Sequence, residues 1–196
     1  MPEPYYLYYT TLTATIATSV MMAILLWLKG ERREGLWPLI FFCLGVAGWV
    51  AGHLLINTGN QVLAESGRIL VNMSPLVAAS FVHFTFAFTE RSNKAALFFV
   101  YIVSISITIL AVVSSTGELR PWLKFPLFYQ YDKKAVIVVL ITACYSAFGH
   151  FWLFKQSFKE EPKKRKQIRA AFIAGGWGLV SASGFVFGFL GLPVFP

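Results

Sequence analysis

Three histidines, His53, His83 and His150, are the side chains here whose chemistry reaches furthest into apolar sequence. Imidazole titrates near neutrality and ligates metals, so each one raises the question of a proton relay or a cofactor. Asn57 lies four residues beyond His53, on the same face of a helix. His83 and His150 each fall 15 residues into apolar stretches that begin near 68 and 135. At 1.5 Å per residue both lie about 22 Å from the same boundary. That equal depth makes them metal candidates, with a haem held between two helices as the specific chemistry. Satisfied interior histidines are the plainer reading, and the spacing by itself calls for no cofactor.

Other catalytic constellations are missing. The sequence contains no P-loop, no Gly-x-Ser-x-Gly, no His-Glu-x-x-His and no dinucleotide fingerprint. All nine acidic residues fall at the ends of apolar stretches or between them. A pump built on carboxylates buried at mid-membrane is therefore not expected, and the chain alone is expected to catalyse nothing.

The elements that position these residues follow from composition. Of 196 residues 57% are hydrophobic and 13% charged, with mean hydropathy +0.63. A soluble domain carries roughly 25% charged residues, so lipid is the solvent that fits. Spanning about 30 Å of hydrocarbon takes roughly 20 helical residues, and six stretches qualify, about 5–28, 36–56, 68–89, 95–114, 135–154 and 170–192. Isolated strands cannot satisfy their backbone in lipid. The expected fold is an all-α polytopic membrane helix bundle forming one domain over 1–196. The start, Met1 to Tyr9, lacks the basic region of a signal peptide, so the first stretch is expected to be retained. Cys43 and Cys144 lie within apolar stretches and read as small buried hydrophobes rather than a disulfide.

The net charge of +8 raises nucleic acid as a partner, but the basic residues sit in short segments between apolar runs. That is a topology signal, and no nucleic acid is expected. Twelve Lys and Arg fall on one side of the predicted bundle and five on the other. The positive-inside rule then places the N-terminus outside and the basic loops in the cytoplasm, in the inner membrane of a cell.

Small residues and one proline mark packing. Gly45, Gly48 and Gly52 fall at i, i+3 and i+7 of the second stretch, and Ser181, Gly184, Gly188 and Gly191 share a face of the sixth. Such faces let helix backbones approach closely. Pro75 predicts a kink near Val71 in the third stretch. The outer segment 115–134 is rich in aromatics, including Trp122, Phe125, Phe128, Tyr129 and Tyr131, and reads as an aromatic belt or a lid over a ligand. The inner segment from Lys155 to Arg169 reads as a basic loop broken by Pro162.

Three features carry a resemblance: Trp49, the Pro75 helix running to Phe84-Thr-Phe-Ala-Phe-Thr89, and Arg165-Lys-Gln-Ile-Arg169 with Gly191-Leu-Pro-Val-Phe-Pro196. In these the chain resembles the N-terminal seven-helix membrane region of bacterial sensor histidine kinases. The resemblance implies sensing of a small or lipophilic stimulus within the bundle, with helix motion carrying the signal to a cytoplasmic effector. It also implies a seventh helix and kinase domains beyond Pro196, through which the protein would form a homodimer, so the chain is expected to be a truncated sensor region. The expected pocket opens outward near Trp49, His53, Asn57, Asn72 and Trp122. A small six-helix transporter or channel and a haem-binding membrane protein are the alternative functions.

Overall fold

The computed structural model describes residues 4–30, 34–91, 93–114 and 116–183. Seven helices follow one another as α1 (Pro4–Lys29), α2 (Leu36–Ile56), α3 (Gln61–Asn72), α4 (Ser74–Phe88), α5 (Lys94–Val113), α6 (Val136–Ser157) and α7 (Pro162–Ser183). Between α5 and α6 the chain forms an antiparallel hairpin, β1 (Gly117–Trp122) and β2 (Phe125–Tyr131). The molecule is an all-α membrane bundle with a small β cap. Five helical spans among the described residues are long and apolar enough to cross a bilayer, with α3 and α4 counted as one and α6 taken with its leading turn. The sixth predicted stretch begins within α7 and continues outside the described residues, as do Gly184 and Gly188.

Helix ends follow ordinary capping rules. Asn60 starts α3 by accepting hydrogen bonds from the backbone N–H groups of Val62 and Leu63 at 3.0 and 3.1 Å. Asn93 does the same for α5 through Ala96 N–H at 3.1 Å. Both satisfy donors that a helix leaves orphaned at its first turn.

α4 is the central rod, packed against α2, α5 and α6, while α1 covers α2 and α7 covers α6. The kink predicted near Val71 is a break at Met73, two residues further on. Pro75 lies in the first turn of α4 and does not interrupt a helix interior. Proline is tolerated there because its missing N–H would have no helical partner anyway. The helix before the break starts at Gln61, seven residues earlier than the apolar stretch suggested. α7 starts at Pro162, so most of the basic segment read as a loop is helical.

The ends of the helices sort into two sides. The start of α1, the ends of α2 and α5, and the starts of α3 and α6 meet at the hairpin. At the other side lie the end of α1, the start of α2 and the α4–α5 and α6–α7 connections, with ten of the twelve basic residues among the described ones. There Lys164 Nζ pairs with Glu90 Oε1 at 2.8 Å.

The aromatic segment is a folded cap and not a belt. Its register pairs Gly117 with Tyr131 and Trp122 with Phe125, with an irregularity between Arg120 and Trp122. Glu118 and Arg120 point outward and pair with each other. Trp122, Phe125, Phe128 and Tyr129 are buried. The first three pack against Tyr8 and Leu12 of α1 and Val50 of α2, and Tyr129 packs against Ile56 and Val71.

The glycines of α2 have different neighbours. A Cβ on Gly45 would stand 2.9 Å from Val77, and one on Gly52 would stand 2.8 Å from the Gly67 carbonyl oxygen. A Cβ on Gly67 would collide with the Gly52 carbonyl oxygen in turn. Gly48 meets nothing within 4 Å, contrary to the packing role expected of it. Gly67→Ala is therefore expected to cost about 1–3 kcal/mol, as forced overpacking does, while Gly48→Ala leaves stability unchanged. Thermal unfolding of the two variants in detergent measures the difference.

Candidate functional site

Two features lie near the residues singled out by the sequence, a buried polar layer beneath the hairpin and a cavity in the side of the bundle. In the polar layer, Asn72 at the end of α3 is fully buried. Its Nδ2 donates to the Arg68 carbonyl and to the Tyr129 hydroxyl, both at 3.1 Å, and its Oδ1 accepts from Thr116 Oγ1 at 3.2 Å. Thr116 and Tyr129 are 3.1 Å apart, closing a three-residue ring between α3 and the hairpin. Nearby, Asn57 Nδ2 donates to the Tyr8 hydroxyl at 3.2 Å, joining α2 to α1. Buried polar groups hold a structure together only when they are met, and the Asn72 ring is fully met.

His53 is buried in the same region and stands edge-on to Trp49 with ring centroids 4.9 Å apart. Trp122 stacks parallel to Phe125 at 6.0 Å. Asn72, Trp122, His53 and Asn57 belong to the expected outward-opening pocket. Asn72 is bonded to the hairpin, Trp122 belongs to the hairpin's core, and His53 and Asn57 are buried at the end of α2.

The cavity lies on the other side of the α3–α4 break. It is open on one side and holds about 590 Å³ among α2, α4 and α5, with Leu70 and Met73 at the break itself. That volume is within the range of about 300–1,000 Å³ typical of small-molecule sites. Its walls include Trp37, Phe41, Leu44, Trp49 and Val77, and Gly48 leaves it open on the α2 side. Its polar side chains are Ser80 and His83 on α4 and Tyr101 on α5, besides the indole N–H groups that Trp37 and Trp49 carry. His83 Nδ1 and the Tyr101 hydroxyl are 3.1 Å apart. Ser80 Oγ donates to the Leu76 carbonyl at 3.0 Å. Of the five residues expected to bind a ligand, Trp49 alone lines this cavity.

The histidines do not form a shared site. His83 faces Tyr101, whereas His150 packs against Phe81 and Phe172 with ring centroids at 4.8 and 6.0 Å. Phe81 and His83 are two residues apart on α4, which turns them about 200° from one another. A haem held between His83 and His150 is incompatible with that placement. His150 Nδ1 donates to the Ser146 carbonyl at 2.7 Å, as an interior helical histidine does. Among the described residues no three His, Cys, Asp or Glu side chains cluster as metal ligands. Cys43 and Cys144 are free thiols.

Tyr101 and Ser80 are the residues that sequence reasoning missed. A depth signal existed: His83 is six residues from the predicted end of its stretch at 89, and Tyr101 six from the predicted start of the next at 95. Consecutive helices joined by a short turn are neighbours, so that match should have outranked the one with His150. For the polar ring, a double-mutant cycle on Asn72→Ala and Tyr129→Phe is expected to give a coupling of roughly 0.5–3 kcal/mol. Additive losses of stability in the same unfolding measurement would remove the ring as the link between α3 and the hairpin.

No curated protein and no solved structure matches the chain. The family model described as the N-terminal 7TM region of histidine kinase matches residues 11–195. That match takes in α1 from residue 11 onward, the other six helices, the hairpin and the cavity, so the chain belongs to the family of N-terminal seven-transmembrane regions of histidine kinases.

Proposed function

We propose that this chain is the input domain of a sensor histidine kinase and detects a small lipophilic stimulus taken from the bilayer into the cavity among α2, α4 and α5. The cavity is the observation that carries this reading. It is apolar, of small-molecule size, and bounded by helices that expose large hydrophobic side chains along the rest of their length. Among the described residues α2 and α5 do not pack extensively on each other, which leaves a lateral entrance facing lipid. Family membership supports a sensory role, and the cavity supports the class of stimulus. A transporter would need a polar path, and neither that nor a repeat is favoured by any feature among the described residues.

In this reading the basic side faces the cytoplasm of the inner membrane, where an effector receives the signal as a displacement of α4. A ligand shifts such an equilibrium only by binding one arrangement more tightly than the other. Filling the cavity should therefore mimic or block the stimulus. In the histidine kinase that carries this input region, Gly48→Leu is expected to change autophosphorylation in membranes severalfold. Gly176→Leu places the same side chain where a Cβ likewise meets nothing within 4 Å and should leave autophosphorylation unchanged. Equal effects from both variants would overturn the reading. Orientation has its own check: reporters fused before Tyr5 and after Lys166 are expected on opposite sides of the membrane, with the second in the cytoplasm.

A further inference from the structure

We infer that the occupant of this cavity is an uncharged amphiphile with a hydroxyl head, held by His83, Tyr101 and Ser80, and an apolar tail directed toward Trp49. The inference rests on the reading of the cavity as the sensory site and adds the chemistry of the ligand.

The first argument is charge complementarity. Among the described residues no Lys, Arg, Asp or Glu lines the cavity. A carboxylate or ammonium head would lose its hydration and meet no opposite charge, a cost far larger than one hydrogen bond returns. An ionised lipid or fatty acid is therefore rejected at the head, and only an uncharged polar group is accepted.

The second argument is the count of donors and acceptors. A neutral imidazole and a phenol carry one N–H and one O–H between them. The contact between His83 Nδ1 and the Tyr101 hydroxyl uses one of these protons. If Tyr101 donates, the proton left over is on His83 Nε2; if His83 donates, it is the phenolic proton. The first tautomer leaves the pair a donor to offer on His83 Nε2; in the second the phenolic proton has Ser80 as a neighbouring acceptor. Ser80 spends its proton on the Leu76 carbonyl and keeps an oxygen that can accept. A hydroxyl both donates and accepts, so it matches a site that presents one of each. A pure hydrocarbon would leave the donor unmet, at about 1–3 kcal/mol.

The third argument is polarity along the cavity. Ser80, His83 and Tyr101 gather toward the basic side, beside Trp37 and Phe41, and the hairpin side of the lining, from Leu44 to Leu70, is apolar apart from the Trp49 indole N–H. A head at one end and a tail along the rest is the arrangement of an amphiphile and not of a compact polar solute.

The test uses the purified full chain in lipid nanodiscs with three diazirine-tagged probes of equal length, dodecanol, dodecanoate and dodecane. After photolysis, labelled peptides are mapped by mass spectrometry, and untagged dodecanol is titrated as competitor. The expected result is labelling of the peptides that contain Trp49 and Tyr101, with dodecanol bound about tenfold more tightly than either companion, as one satisfied hydrogen-bonding group gives. His83→Phe and Tyr101→Phe should each reduce dodecanol to the level of dodecane without abolishing labelling by dodecane. Dodecanoate or dodecane binding as tightly as dodecanol would overturn the hydroxyl assignment while leaving the cavity as a lipophilic site. Labelling that no competitor reduces, or cross-links from Trp49 to a second copy of the chain, would overturn both this inference and the reading on which it rests.

Discussion

Hydrocarbon offers no partner to a bare peptide group, and the third membrane span is where the chain meets that constraint with most difficulty. Around Pro75 one backbone donor is missing, and the helix ends and restarts. The repair is local. Met73 N–H bonds the Leu70 carbonyl at 3.2 Å, Leu76 N–H bonds the Met73 carbonyl at 2.9 Å, and the Asn72 side chain meets the Arg68 carbonyl. Much of the architecture depends on how this repair is made. Asn72 is turned to the hairpin and anchors Tyr129 and Thr116, while Leu70 and Met73 are turned to the cavity and form part of its wall. The same interruption thus supports the cap on one side and shapes the empty space on the other.

Below the break, α4 is locked to its neighbours. Gly149 of α6 admits the Phe81 ring so closely that a Cβ would stand 2.7 Å from it, and Trp152 Nε1 donates to Thr89 Oγ1 at 2.9 Å. Glu90, just beyond α4, holds Lys164 of α7. Close packing transmits displacement because it cannot be compressed. Packing is therefore continuous from α4 through α6 and α7 on the basic side, whereas the hairpin side is held by the Asn72 ring. Helix breaks are the positions at which such a rod can pivot.

The helical bundle was legible because lipid leaves the backbone so little choice. Length, polarity and the placement of Lys and Arg located α1, α2, α5 and α6 closely. The hairpin was not, for a definable reason. Five aromatics near a membrane boundary look the same whether they line an interface or fill a core, and only their pairing distinguishes the two. The alternation of Gly117, Leu119 and outward Glu118, Arg120 carried that signal, but it spans few residues. The early start of α3 was hidden because Glu65 and Arg68 look like loop residues when counted singly. Three apart on a helix they form an ion pair at 2.7 Å, which makes their presence at a membrane boundary affordable in physical terms. The basic run after Pro162 was hidden in the same way, since charge argues for water and not against a helix.

Pattern alone also merged two roles that the glycines of α2 keep apart. Positions 45 and 52 are seven residues apart and return to within about 20° of the same direction, and both meet a close neighbour. Position 48 is turned about 60° from Gly45; both line the cavity, but the turn is enough for Gly48 to leave the contact with Val77. A missing side chain at a crossing draws two backbones together, while one beside a crossing leaves space that nothing in the protein fills. The periodicity i, i+3, i+7 cannot distinguish these cases, because it fixes a face only to the width of a side chain. The boundary on α2 between close contact and open cavity wall is narrower than that width. Gly48, Trp49 and Gly52 are therefore best understood as one strip of helix surface, held firmly at Gly52 so that it can remain open at Gly48.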